Sequence, residues 1–390
     1  MNIVRVGVIG IGNIGSVHTK HIAEGKVRGL MLSALCDIKS EKKKPLAEKY
    51  GDIPFFTDYR ELIASGLCDA VIISTPHKFH ADIAVDALNS GLNVLVEKPA
   101  DITVSKAEKL NAAAEKSGKV FGIMFNQRTN PLFAKARELV KSGALGEIKR
   151  SVWIITNWYR SQRYYDSGDW RATWSGEGGG VLLNQAPHQL DLWQWICGMP
   201  TEITAMCDIA KFHNIEVEDD VTLTARYENG ATGVFITSTG EYPGTNRLEI
   251  SGERGKLVLE NELLKWWQLE KSEREVCFSS DSNSPRIDTE YKEFRQEAPE
   301  TAHRGILENF ANSILFGEEL LAPGNEGINE LMISNAAYLS AYYKRPVSLP
   351  INPQEIDDLL CRLRRDSECK CSESGGTEDS EYAPRWKVRW

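Results

Sequence analysis

Through its first third the chain alternates short, uninterrupted apolar runs with amphipathic stretches. VRVGVIG, LMLSALCDI, AVIISTP, NVLVEKP and VFGIMFN are rich in Val and Ile without polar alternation, the pattern of strands buried on both faces. Between them lie SVHTKHIAEG, SEKKKPLAEKYG, FHADIAVDALNSG and SKAEKLNAAAEKSG, which read as crossover helices. The pattern predicts an α/β, doubly wound parallel sheet over residues 1–126. After KSGALGEIKRS the period changes to two. SVWIITNWY, TEITAMCDIA, VTLTARYENGATGVFITSTG, NRLEISGERGKLVLE and LLKWWQLEK alternate apolar and polar residues across Asn-Gly and Gly-Glu turn signals, which predicts a mainly antiparallel sheet with one buried face. Helical periodicity returns at TAHRGILENFANSIL and NEGINELMISNAAYLSAYYKR. A second, α+β domain over residues 127–365 is expected, its helices on one face of the sheet.

Composition narrows the partners. A chain of 390 residues exceeds what one core usually supports, and 42% hydrophobic with 26% charged residues is that of an ordinary globular protein. The net charge of −9 argues against nucleic acid, because phosphate binding needs a basic excess. No stretch approaches the roughly 18–20 apolar residues of a membrane span. MNIVRVGVIGIG enters a β-branched run with no basic segment or cleavage site, so no secretory signal is expected. The eight cysteines are scattered and read as reduced thiols of a cytoplasmic protein, and CKC near the C-terminus lacks the spacing of a zinc site. Residues 366–390 form a tail. Asp366 to Glu381 has six acids against one Lys and the composition of a disordered segment, whereas the basic, tryptophan-bearing PRWKVRW is expected to dock on its own subunit or a neighbour.

Three segments carry chemistry. GIGNIG (Gly10, Gly12, Asn13, Ile14, Gly15) follows the first strand and opens the first helix. Its glycines allow a tight turn and close backbone approach to a pyrophosphate, which the helix N-terminus then holds. Asp37 ends the second strand, 22 residues after Gly15, where an acid can bind ribose hydroxyls and repel a 2′-phosphate. That favours NAD over NADP, although Lys39 and Lys42 to Lys44 weigh the other way. Lys98, in VLVEKP, ends a parallel strand and so points into the ligand crevice, where it can exchange a proton with a substrate hydroxyl. In GGGVLLNQAPHQLDLWQW, a helix starting near Asn184 would put Asn184 and His188 on one face at its N-terminal end. The dipole there would depress the imidazole pKa and suit a neutral base.

Together these segments resemble the Gfo/Idh/MocA oxidoreductases, which act mostly on sugars, inositols and glycosides. The resemblance rests on VGVIGIGNIGSVH, STPHKFHADIAVDALNSGLNVLVEKPA, FNQRTNPLFAKARELVKSGALGEI, DWRATW, GGGVLLNQAPHQLDL and NEGINELMISNAAYLSAYYKRPVSLP, over roughly residues 3–352. It implies a Rossmann domain and an open-faced sheet that holds substrate over the nicotinamide and often forms an oligomer interface. Lys98 and His188 would be the catalytic pair. Ser74, Thr75, Pro76, His80, Glu97, Trp170 and Arg171 would contact the cofactor, and Asn126 the substrate. One position departs from the family pattern, which usually has Asp where this chain has Asn184. Asn can orient the ring but cannot stabilise imidazolium by charge, so either His188 works with Lys98 alone or Asp191, Asp166 or Asp169 compensates.

NWYRSQRYYDSGDWRATW is dense in aromatics and arginines, which stack on sugar faces and read hydroxyls. For Trp158, Tyr159 and Arg160 a carbohydrate pocket and a core or interface role both stand open. The expected activity is NAD-dependent oxidation of a ring hydroxyl of a sugar, glycoside or cyclic polyol, with a glycoside oxidised at C3 preferred, by a homo-oligomer. Redox-neutral glycoside cleavage or epimerisation with tightly held NAD, and a non-catalytic NAD-binding sugar sensor, are the alternatives.

Overall fold

A computed structural model describes residues 3–168, 170–297 and 301–367; the tail beyond Ser367 lies outside them, and so does Asp169. Six parallel strands, β1 (Val4–Ile9), β2 (Leu30–Cys36), β3 (Phe55–Phe56), β4 (Ala70–Ile73), β5 (Asn93–Val96) and β6 (Phe121–Ile123), form a sheet in the order β3-β2-β1-β4-β5-β6. The helices that cross between them are α1 (Asn13–Ala23), α2 (Lys43–Tyr50), α3 (Tyr59–Ala64), α4 (His80–Asn89) and α5 (Val104–Ser117). The short pair β3 and α3 does not stand out in the hydropathy pattern. β3 is two residues long and pairs only at Leu35 and Cys36. The order reverses between β1 and β4, so the carboxyl ends of these strands frame a crevice.

The second sheet has nine strands: β7 (Ile148–Ile155), β8 (Glu202–Ile209), β9 (Glu218–Arg226), β10 (Thr232–Ser238), β11 (Asn246–Gly252), β12 (Gly255–Glu260), β13 (Leu263–Leu269), β14 (Thr289–Arg295) and β15 (Val347–Ser348). Their order is β14-β13-β12-β11-β7-β10-β9-β8-β15. Every pair is antiparallel except β7 with β10. One face is buried: Trp153, Leu223 and Phe235 are fully covered, while Val152, Ile154, Val234 and Ile236 on the other face stay half-exposed.

Connecting and covering helices are α6 (Pro131–Lys141), α7 (Gln162–Asp166), α8 (Pro187–Cys197), α9 (Glu273–Ser279), α10 (Ala302–Phe316), α11 (Gly327–Tyr343) and α12 (Pro353–Arg365). α6 and α12 start at Asn130 and Asn352, whose side chains accept from the N–H two residues on, with Pro at the next position; both residue types suit those places. α8 and α11 cover the buried face of the second sheet, as expected of that domain's helices. α10 does not. It packs beside the first sheet, where the side chains of Ala311 and Leu315 close on Gly29 and Phe310 lies near Gly122. Its residues contact β1 and the turn after β6.

Candidate active site

α1 opens directly after the glycine turn, and at Gly10 and Gly15 the backbone has room only for glycine. Gly10 has φ +91°, and a Cβ on it would approach the Ser74 carbonyl oxygen to 2.7 Å; one on Gly15 would lie 1.9 Å from the Gly10 oxygen. Gly12, the residue before α1, faces open space with nothing within 4 Å, and no side chain caps the helix. The first N–H groups of α1, from Asn13 and Ile14, are thus left for an anion. Asp37 ends β2 with its carboxylate accepting from Ile11 N (2.8 Å), Lys39 N (3.0 Å) and Lys42 Nζ (2.6 Å). Burial pushes this carboxyl up, but those three partners outweigh it and hold it below its ordinary value. Lys42 therefore spends its charge on Asp37 and on the Ile11 carbonyl. At the end of β4, Thr75 Oγ1 is buried without a partner. An open glycine step, an uncapped helix and an orphaned hydroxyl fit a bound dinucleotide.

Lys98 follows β5. Its Nζ donates to the Asn184 carbonyl oxygen at 2.7 Å. Burial lowers its pKa, against the opposing fields of Glu97, Glu330 and Glu177. Glu97 beside it accepts from His18 at 2.7 Å; burial would raise this carboxyl, but the His18 bond, with His303 and Lys98, brings it to about 2. His80 bridges the Thr75 and Pro99 carbonyls at 2.7 and 2.8 Å and ties the ends of the two strands together. His188 lies in the first turn of α8, half-buried, with Nδ1 enclosed and unpartnered and its ring edge-on to Phe125. Its pKa falls to about 3, from burial first and then the Lys98 charge. The depression expected from a helix dipole thus has a different main cause.

Packing sets the position of α8. Trp193 stacks on Phe235 and its indole donates to Ser151 Oγ at 3.0 Å. A Cβ at Gly233 would lie 2.5 Å from the Trp193 ring, so that strand has to carry glycine there. On the other side Arg128 grips Asp191 through Nε (2.9 Å) and Nη2 (2.6 Å), and Glu326 through Nη1 (2.5 Å). Asp191 is therefore a structural anchor and does not compensate for Asn184. Asp166 does not either: its carboxylate takes an exposed bond from Gln162.

α8 begins at Pro187, and Asn184 lies in the preceding turn, its N–H on the Gly180 carbonyl. The expected helix start at Asn184 is corrected accordingly, because Gly180 is pinned by Glu218, whose carboxylate also accepts from Leu182 N and Tyr338 OH. The Asn184 side chain points to Glu177 Oε1 and, at 3.3 Å, to Tyr164 OH. It reaches the catalytic candidates through its main-chain oxygen on Lys98. Glu177 and Tyr164 escaped the sequence reading. The former is embedded in GEGGG and looks like part of a turn; only its burial, with its oxygens on Ala172 N and the Asn184 amide, marks it, and that is tertiary.

Along the aromatic loop, Trp170 lies edge-on to His77, and the Arg171 guanidinium stacks on Tyr164 and donates to its hydroxyl at 2.9 Å. Trp158 Nε1 donates to Thr237 Oγ1, Arg160 lies over Tyr164, and Asn126 Oδ1 is buried without a partner. Tyr159 is 51% exposed and stacks on Tyr242, further out. Among the described residues no group of three or more His, Cys, Asp or Glu could hold a metal ion, and no helix is long and apolar enough to cross a membrane.

Residues 4–125 match the family model of an oxidoreductase family with an NAD-binding Rossmann fold, and residues 133–258 match the GFO/IDH/MocA C-terminal domain. Myo-inositol 2-dehydrogenase of Thermotoga maritima is 24% identical over 88% of this chain and 98% of its own. D-glucoside 3-dehydrogenase of Escherichia coli is 31% identical over 50% of this chain and 54% of its own. The WlbA dehydrogenase from Bordetella pertussis, solved in complex with NADH and UDP-GlcNAcA, superposes with a TM-score of 0.75 at 25% identity, covering 90% of this chain and all of that one.

Proposed function

Because the chain belongs to the Gfo/Idh/MocA oxidoreductases, NAD-dependent enzymes of sugar and polyol oxidation, we propose that it oxidises a ring hydroxyl of a sugar, glycoside or cyclic polyol. A glycoside oxidised at C3 is the preferred substrate, supported by the aromatic loop and by the likeness to a D-glucoside 3-dehydrogenase over half the chain. The observation that carries the reading is the meeting of Lys98 from the first sheet with the Asn184–His188 segment of the second, beside the glycine turn.

Bound NAD supplies the hydride acceptor. Gly10, Gly12, Gly15, Asn13, Ile14, Asp37, Ser74, Thr75 and Pro76 would hold it, with His80 and Glu97 buttressing the strand ends. Trp170 and Arg171 close the crevice from the loop. As the free amine, Lys98 has one N–H on the Asn184 carbonyl, one left for a substrate oxygen, and a lone pair for the hydroxyl proton. Its lowered pKa makes it the better-matched acceptor for a hydroxyl proton. An imidazole held near 3 stores a proton poorly, so His188 accepts a hydrogen bond from the hydroxyl and orients it. Asn126, Trp158 and Arg160 fit contacts to the sugar. The half-exposed rows Val152, Ile154, Val234 and Ile236 suit a homo-oligomer built sheet to sheet.

Incubation with NAD and a panel of glucosides, inositols and free sugars, following NADH absorbance and product mass, tests the activity. Turnover of a ring hydroxyl, abolished in Lys98→Ala, is expected. Inertness towards the whole panel, or activity surviving in that variant, overturns the reading.

A further inference from the structure

Three carboxyl groups act on Lys98: Glu97, Glu330 and Glu177. Glu97 is committed to His18. Glu330 is fully buried on α11 with neither oxygen bonded, and burial pushes it well above the ordinary carboxylate range. Glu177 differs from both. It is 1% exposed, yet each oxygen has one partner: Oε2 accepts from Ala172 N at 2.7 Å and Oε1 accepts from the Asn184 side-chain amide. The same Asn184 holds Lys98 Nζ through its carbonyl oxygen. A carboxylate, an amide side chain, a main-chain carbonyl and an ammonium are thus linked across the join of the two sheets.

We propose that Glu177 is the positioning residue of Lys98: it fixes the Asn184 turn that holds the ammonium and supplies, one residue removed, the negative charge that position 184 lacks. The inference rests on the activity proposed above. While Glu177 is ionised it favours the protonated form of Lys98, and so helps that residue keep the proton taken from substrate. Tyr165 and the His77 ring, the latter bonded to the Glu177 main chain, lie close to this carboxyl, and the Tyr164 hydroxyl joins Asn184 to Arg171 beside it. The Ala172 N–H, Arg171, the Asn184 amide and Lys98 favour the carboxylate. Burial opposes them and is larger, which brings the group to about 7. Below that pH Glu177 takes a proton and its support for Lys98 is lost.

The test compares wild type, Glu177→Gln, Asn184→Asp and the double variant. Burial also brings Glu218 to about 7, so the infrared carbonyl band that fades as pH rises through neutrality is read as the wild-type minus Glu177→Gln difference, which should contain the Glu177 component. The same variant should lose about tenfold in kcat with KM within about twofold, and the break in its kcat–pH profile near neutrality should vanish, leaving only the fall that protonation of Lys98 imposes. Returning a carboxylate through Asn184→Asp in that background should restore kcat to within about threefold of wild type. Asn184→Asp alone, which sets two acids side by side, should move the acid limb to higher pH. A wild-type minus Glu177→Gln difference without a carboxyl band titrating near neutrality, or a Glu177→Gln pH profile that overlays wild type, overturns the proposal. The infrared titration needs no turnover, so it decides the fate of Glu177 even if every sugar in the panel proves inert.

Discussion

The two nitrogen bases are depressed by burial first, and in His188 also by the charge of Lys98. That has a sign in stability as well as in chemistry. His188 titrates at 6.5 when unfolded and at about 3 when folded, so between those values the unfolded chain binds more protons and stability rises with pH. Replacing His188 by Asn should flatten the climb in urea midpoint between those pH values. The same variant should cut kcat by about 10²–10⁴-fold if the ring meets the reacting hydroxyl. A midpoint whose pH dependence does not change would show that the ring is solvated. Lys42 is legible only in part: its nearness in sequence to Asp37 reads as a threat to NAD preference, whereas the structure has it paired with that acid. Side-chain direction is not contained in spacing.

At the scale of elements, α8 is a clamp. Trp193 against Gly233 and Phe235 holds one side, and Arg128 on Asp191 and Glu326 holds the other. Both Arg128 and Asp191 are 1% exposed, and removing one partner leaves the other charge buried. Asp191→Asn should therefore cost about 3–5 kcal/mol in denaturant unfolding. A loss under about 1 kcal/mol would mean that the helix is held by its apolar side alone. The strands and crossover helices of the first sheet are visible as hydropathy runs because each is long enough to bury a continuous stripe. β3 and α3 escape that reading because two and six residues repeat too few times to register as a run or an amphipathic face. The start of α8 is displaced from Asn184 to Pro187 because Glu218, on a strand far along the chain, captures the N–H groups of Gly180 and Leu182.

Across the whole molecule the second sheet buries one face under α8 and α11 and leaves Val152, Ile154, Val234 and Ile236 half-exposed on the other, with Met206 at 65% exposure. If this face joins copies of the chain, Ile236→Lys should convert the light-scattering mass from oligomer to monomer while NADH binding persists. A wild-type chain that is monomeric at working concentration would refute the assignment. Two sheets, their strand types, the dinucleotide turn and the candidates Lys98 and His188 are determined by the sequence, because each follows from local periodicity or from a motif that positions its own residues. Which acids can reach Asn184 and Lys98 follows from tertiary structure alone. The sequence offers Asp191, Asp166 and Asp169 as the compensating acid and does not single out Glu177. Only the folded chain commits Asp191 to Arg128, leaves Asp166 on the surface, turns the Glu177 carboxylate back onto Asn184 and brings Lys98 of the first sheet to the Asn184 carbonyl. Electrostatic partnership depends on distance and burial, and neither is a property of sequence separation.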